Sequence, residues 1–326
     1  MDDLAPIIHA LGGSLERHEL LDLGWTDTEI RRAMRAGLLV RIRFGAYAHG
    51  ASWRASPPDE RHRILARAVL SKLGRHVIAT HQTAAALHGL DVWGSDLRHV
   101  QVGRLDGRTA RIDAGVQFHR GTIDPDDLVE VDGVLAVSPA RAAVETALVG
   151  SFEAGAVAMT AALRDRGVTR DEITEMVDKL GSWAGALAAR RAMNTADPRL
   201  ETVGEVRSMC LFRVHAIALP EPQVEIRDAA GRLVARTDFL WERARHVGEF
   251  DGLVKYGRLN PYETDVGRVL VDEKRREDAV RRLSYGVSRW TWSELAPAVA
   301  AQTAGRIRED LERSRVLAPR AIDLGA

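Results

Sequence analysis

The residues best suited to chemistry lie in Arg236-Thr237-Asp238-Phe239 and in Val247-Gly248-Glu249-Phe250-Asp251-Gly252. On a strand, residues two apart share a face, so Glu249 and Asp251 project together, and Asp238 falls near the end of the preceding strand. If those two strands are neighbours, three carboxylates converge, which is the donor set a hard divalent cation such as Mg2+ or Mn2+ requires. Such an ion generates hydroxide and stabilises charge on a phosphodiester under attack. Lys255 follows at a position to orient water or neutralise the phosphate, and Glu205 on the helix before the strands offers a further carboxylate. The candidate catalytic set is Asp238, Glu249, Asp251, Lys255 and Glu205, with Asp238, Glu249 and Asp251 as metal ligands. The plain alternative is three solvated acids at strand ends. Charge nearby reads as ordinary helix support, through the i,i+4 pairs Glu277 with Arg281, Asp278 with Arg282 and Asp272 with Arg276.

A second chemistry is written in charge. Residues 1–29 hold seven acids and one base, whereas residues 30–50 hold Arg31, Arg32, Arg35, Arg41 and Arg43 and no acid. The five arginines fall on a third helix and a hairpin, the two elements that a winged helix-turn-helix presents to the major groove and the adjacent backbone. Arginine there pairs with phosphates and reads guanine edges through two parallel hydrogen bonds. Double-stranded DNA is the expected partner; a solvated helix face beside a stray basic hairpin is the alternative.

Elements that must position these groups are legible in the spacing. Leu4, Ile7, Ile8 and Leu11 predict a first helix ended by Gly12-Gly13, and Ser14 caps a second one carrying Leu15, Leu20 and Leu21. Thr26-Asp27-Thr28-Glu29 is a capping box that opens the third helix, and Gly37 ends it. Residues 38–48 predict a two-stranded wing, and Ser52 to Pro58 a linker. The middle segment begins with a helix from Pro58 to Leu73 and another near Thr80–Leu90. Strands follow at Arg98–Val102 and Val116–His119, then three Ala-rich helices within 139–194, the first capped by Ser138 before Pro139. The last third predicts a helix over Leu200–Leu219 and strands at Gln223–Arg227, Leu233–Leu240 and His246–Asp251. A charged helix over Asp272–Leu283, a strand at Gly286–Thr291 and a helical tail complete the chain.

The first fifty residues resemble the N-terminal winged-helix domain of AbiEi-type antitoxins, through Gly12-Gly13, Ile30-Arg31-Arg32-Ala33-Met34 and Gly37-Leu38-Leu39-Val40-Arg41 leading into Gly45-Ala46-Tyr47. The middle segment is similar to that family through His81-Gln82-Thr83-Ala84-Ala85, His88-Gly89-Leu90 and Ser138-Pro139-Ala140-Arg141. From about 200 to 295 the chain resembles Vsr-like and restriction-endonuclease-like branches of the PD-(D/E)XK nucleases. That resemblance implies Asp238 and Glu249 as metal ligands, Asp251 where many members have lysine, and Glu205 as the helix acid. Glu-Phe-Asp departs from the usual Glu-x-Lys, so the lysine would be supplied by Lys255 or be dispensable.

The fold class expected is therefore multidomain α+β. A winged helix-turn-helix (1–51) precedes a mixed α/β, AbiEi-like middle domain (59–197), a nuclease-like domain of order αβββαβ (199–295) and a helical tail (296–326). The function expected is sequence-directed binding of double-stranded DNA by an AbiEi-like transcriptional repressor or antitoxin, whose last domain is a candidate magnesium-dependent endonuclease. Alternatives are a dedicated restriction- or repair-type endonuclease targeted by the winged helix, and an inert nuclease fold that binds a toxin or another protein.

Composition bounds these readings. The 326 residues carry 46 Lys+Arg against 46 Asp+Glu, a neutrality that conceals the local plus five of residues 30–50. Only Lys72, Lys179, Lys255 and Lys274 are lysines, so a position that keeps one in this arginine-dominated background can require a compact ammonium. Cys210 stands alone, which excludes an internal disulfide or a cysteine-based zinc site. No apolar run approaches the roughly 18 residues of a membrane helix, and no apolar segment follows the acidic Met1-Asp2-Asp3, so a cytoplasmic protein with no membrane contact is expected. His76, His81 and His88 lack accompanying ligands and read as packing residues, as do Trp290 and Trp292, which alternate on the last strand.

Overall fold

Glycines and caps punctuate the N-terminal elements. The computed structural model describes residues 4–106, 110–121, 123–252, 275 and 277–322. Helix α1 (Leu4–Ala10) ends where Gly12 and Gly13 take φ of +83° and +95°, a region closed to most side chains. A short strand β1 (Leu15–Glu16) comes next, and α2 (Arg17–Asp22) starts from Glu16 rather than from Ser14. The expected cap is corrected because Leu15 pairs with Tyr47 across the ladder, which keeps Ser14 outside the helix. Helix α3 (Asp27–Arg35) opens on the Thr26 capping box, and β2 (Leu39–Arg43) with β3 (Ala46–His49) forms the hairpin. The three strands make an antiparallel sheet of order β1-β3-β2. Leu4, Ile8, Leu15, Leu20, Ile30, Ala33, Leu39 and Tyr47 form one core beneath them.

The expected linker is helical. Residues Gly50–Ala55 form α4, its N-cap being His49, and α5 (Pro58–Leu73) follows with Pro58 at its first position. Gly50 lies so close to the Gly37 carbonyl that a Cβ would sit 2.1 Å from its oxygen, so α4 is packed against the turn after α3. The segment continues with β4 (Val77–Ala79), α6 (His81–Leu87), β5 (Val100–Arg104), β6 (Arg111–Asp113), β7 (Val116–His119), β8 (Leu128–Val131) and β9 (Val134–Val137). These strands form a mixed sheet of order β6-β7-β5-β4-β9-β8. Helices α7 (Pro139–Val149), α8 (Phe152–Asp165), α9 (Arg170–Lys179) and α10 (Ala186–Thr195) then occupy the region where three were expected. Ala and Gly let α7 and α8 approach closely: a Cβ on Gly155 would meet Ala147 Cβ at 2.2 Å.

The chain divides into two compact units, residues 1–194 and 195–326. The second holds α11 (Val203–Val214), β10 (Glu221–Arg227), β11 (Leu233–Trp241), β12 (His246–Asp251), α12 (helical over 277–282), β13 (Gly286–Thr291) and α13 (Ala300–Ile322). Its sheet runs β10-β11-β12-β13, antiparallel except that β12 and β13 are parallel. Val280 of α12 packs with Ile226, Ala235, Leu240 and Val247. Phe212 of α11 joins Phe239, Trp241 and Trp290 in an aromatic core with ring centroids 5.2 to 5.6 Å from its own. Gly248 makes room for it, since a Cβ there would sit 2.6 Å from Trp290 and 2.8 Å from Trp241. The molecule is a multidomain α+β protein. No helix of the described residues is long and apolar enough to cross a membrane.

Four histidines, His62, His81, His88 and His246, are buried in these cores, and His119 is half-buried. Burial holds His81 down to about 3, His119 and His246 down to about 4, and lowers His62 and His88 as well. Burial disfavours the charged form of all five, which take up a proton near 6.5 when unfolded, so stability falls as pH drops below about 6.5, and for His81, His119 and His246 the loss continues to about pH 4. Thermal unfolding from pH 7.5 to 5, above the main carboxylate range, should show a falling midpoint starting near pH 6.5. A flat midpoint across that interval would contradict the neutral assignment.

Candidate functional site

The arginine surface is built by local chemistry that consumes the neighbouring acids. Thr26 Oγ1 accepts the Glu29 amide at 3.3 Å and Glu29 accepts the Thr26 amide at 2.8 Å, which occupies one carboxylate. Asp27 is held by Arg17 through two hydrogen bonds, 2.8 and 2.5 Å, and the Arg17 bond keeps its carboxyl below the usual range. On α3 the side chains of Ile30 and Ala33 face the core, so Arg31, Arg32 and Arg35 face solvent. Arg41 is exposed on β2 and Arg43 half-buried. Among the described residues none of the five forms an ion pair with a carboxylate; Arg31 donates only to Thr28 Oγ1, at 3.3 Å. The exposed positive charge therefore comes from Arg31, Arg32, Arg35 and Arg41, whereas Arg43 has its Nη1 shielded from solvent and acts on the nearby Glu16 carboxylate.

In the second unit, the register pairs Phe239 with Gly248 and Leu240 with Val247. Continued by one residue, it sets Asp238 of β11 opposite Glu249 of β12, and Asp238 Oδ2 accepts the Phe250 amide at 2.8 Å. Glu249 and Asp251 share a strand face, as the alternation requires, and both are half-buried. Glu205, in the first turn of α11, is buried and spent: its oxygens accept the Glu201 amide at 3.0 Å, Thr202 Oγ1 at 2.8 Å and Gln223 Nε2 at 2.8 Å. Lys255, Asp272 and Arg276 lie outside the described residues. Glu277 pairs with Arg281 as expected, at 2.7 Å.

Among the described residues, no group of three His, Cys, Asp or Glu side chains is placed to hold a metal ion. The expected convergence thus reduces to a pair, Asp238 and Glu249, with Asp251 farther along and Glu205 engaged elsewhere. A facing pair of carboxylates still fits magnesium in donor chemistry, because that ion keeps several waters and takes one or two carboxylates beside substrate phosphates.

Two features escape the sequence patterns. Gln223 adopts φ +57° inside β10, where a strand residue is extended, and it falls opposite Asp238 because Pro222 pairs with Phe239 and Val224 with Thr237. Only the preceding Pro-Glu-Pro run hints at irregular backbone. In the first unit, Arg141 is fully buried with Nε 2.8 Å from Glu145 and Nη1 2.7 Å from Asp127. Glu145 Oε2 also accepts the amide of His81, whose φ is +53° and whose ring stacks on His119 at 4.0 Å. The i,i+4 spacing of Arg141 and Glu145 is visible in the sequence, but burial of such a pair is not readable from spacing.

No family model matches the chain. The crystal structure of the RV2827C protein from Mycobacterium tuberculosis is similar at a TM-score of 0.36 and 15% identity, over 68% of this chain and 87% of that one. Two M. tuberculosis sequences, uncharacterized protein MT2308 of strain CDC 1551 and uncharacterized protein Rv2248 of strain H37Rv, are each 30% identical over 278 residues. That alignment spans 81% of this chain and 96% of each relative. The chain therefore belongs to the same family as these two mycobacterial proteins.

Proposed function

We propose that this protein binds double-stranded DNA through α3 and the β2–β3 hairpin, acting in the cytoplasm as an AbiEi-like transcriptional repressor or antitoxin. The observation that carries this reading is the set of four exposed arginines, Arg31, Arg32, Arg35 and Arg41, that form no salt bridge among the described residues, beside acids engaged by Arg17 and the Thr26 cap. In a winged helix-turn-helix reading, α2 and α3 are the helical pair and the hairpin is the wing. Fixed cations on that surface release counterions from the duplex, while α3 brings guanidinium forks to base edges. A toxin partner belongs to the same proposal and is tested by co-purification with the product of a neighbouring gene.

A second reading is favoured by one observation, the register that sets Asp238 opposite Glu249. In it the second unit is a metal-dependent endonuclease of the PD-(D/E)XK kind, with Asp238 and Glu249 holding the ion and Asp251 and Lys255 beside them. A bound magnesium ion supplies an activated water and charge neutralisation at the phosphodiester. Asp238 is held in place by the Phe250 amide, and Gln223 and Glu205 fix the neighbouring strand and helix. An inert nuclease-like fold is the outcome if cleavage is absent.

Substituting Arg31, Arg32 and Arg41 together by Ala should weaken duplex binding and reduce the slope of log affinity against log salt by about 0.9 for each phosphate no longer neutralised. Unchanged affinity and slope would contradict the proposed surface. Asp238→Ala with Glu249→Ala should abolish magnesium-dependent nicking and leave duplex binding intact. If the unaltered protein cleaves no duplex, single-stranded or mismatched DNA with magnesium or manganese, the endonuclease reading fails. Glu205→Ala, by contrast, should lower the unfolding free energy by about 1–3 kcal/mol, since it strands buried donors; denaturant unfolding with unchanged stability would contradict its assignment as a structural acid.

A further inference from the structure

The tip of the β2–β3 hairpin carries an aromatic ring that stands outside the hydrophobic core. Arg43 pairs with Ala46, so Phe44 and Gly45 alone make the turn, with Gly45 at φ +82°. Phe44 is 78% exposed, more than any other large apolar side chain among the described residues. A single exposed apolar residue is ordinary on a loose loop, but this turn is fastened. The Gly45 carbonyl accepts the Arg17 amide at 2.7 Å, and the Phe44 carbonyl accepts Lys72 Nζ at 3.3 Å. Lys72 Nζ also stands 5.4 Å from the centroid of the Phe44 ring. Lys72 belongs to α5 and is one of only four lysines in the chain. A compact ammonium fits between a carbonyl and a ring face, where a planar guanidinium would not reach both in the same way.

We propose that Phe44 is a wedge that enters duplex DNA beside the arginine surface and partly unstacks a base step. This rests on the DNA-binding reading above and assigns the tip a role distinct from pairing with phosphates. The occupant is argued from charge: Lys72 and the half-buried Arg43 lie near the one carboxylate at this turn, Glu16, and Arg41 is exposed on the same strand, so three cations against one acid leave the tip with net positive charge. A polyanion with stacked apolar bases satisfies both the cations and the ring, whereas an apolar protein groove would leave the cations facing an uncharged surface. Apolar side chains on minor-groove proteins act in this way, kinking the duplex at steps that unstack easily. The fastening of both turn carbonyls holds the loop, so little loop entropy is lost on insertion.

The wedge and the arginines separate by salt. An inserted ring adds affinity without releasing counterions, so Phe44→Ala should weaken binding of the full chain to a 30-base-pair duplex rich in TA steps by about tenfold with no change in salt slope. Phe44→Trp should retain most of the affinity. With 2-aminopurine placed at TA steps, the unaltered protein should raise its fluorescence on binding, and Phe44→Ala should not. Because the ring is exposed, the alanine variant should unfold at the same temperature as the parent. Parental affinity of Phe44→Ala together with loss of binding by the arginine variant would overturn the wedge and leave the DNA-binding reading standing. A change in oligomeric state of Phe44→Ala at unchanged DNA affinity would overturn it in favour of a protein contact. Failure of the unaltered protein to bind any duplex would remove both.

Discussion

One buried cation organises the first unit. Removing a guanidinium from water is costly unless it is paired and hydrogen-bonded, and Arg141 meets that condition with Glu145 on its own helix and Asp127 on the turn before β8. The consequence extends beyond the pair. Burial opposes ionisation of Asp127, but its bonds from Lys179 and Arg141 outweigh this and hold the carboxyl below its usual range, which ties α9 to the same point. Glu145 also receives the first amide of α6, fixing where that helix starts and forcing His81 into a left-handed backbone against His119. His119 in turn meets Gln101 of β5, at 2.5 Å. Two helices, the start of a third and the middle of the six-stranded sheet are thus positioned by one charge.

From that frame the N-terminal surface inherits its support. Helix α5 packs on the sheet, and its Arg67 donates to the Gly12 carbonyl at 3.1 Å while its Lys72 holds the hairpin tip. The N-terminal elements are therefore not tethered through a loose linker, since most of the Ser/Pro-rich stretch from Ser52 folds into α4 and the start of α5. The backbone that carries the arginines of α3 and β2 is thereby fixed to the rest of the first unit. The overall neutrality of the chain is compatible with such a surface, for the acids near it are already paired or capping.

Much of the architecture is legible in the sequence because it rests on local rules. Thr26 with Glu29, Ser138 with Pro139 and the alternation over His246–Asp251 each specify an element from adjacent residues, and each element is present. What is not legible depends on distant partners. Ser14 loses its cap because Leu15 is drawn into pairing with Tyr47, and β4 and β6, of three residues each, are too short to carry a pattern of their own. Among the site residues, spacing places Glu249 and Asp251 on one face, but it does not show that Glu205 is consumed by Gln223, Thr202 and its own helix start. Phe44 is readable only as a hairpin residue, since exposure at a turn is a property of the folded hairpin.

The claim on which the functional account depends is that duplex DNA meets α3 and the β2–β3 hairpin. Amide hydrogen exchange of the full chain, measured by mass spectrometry with and without a saturating 30-base-pair duplex, tests it directly. The account predicts new protection within residues 27–49. Protection confined to residues 195–326, with 27–49 exchanging as in the free protein, would contradict it.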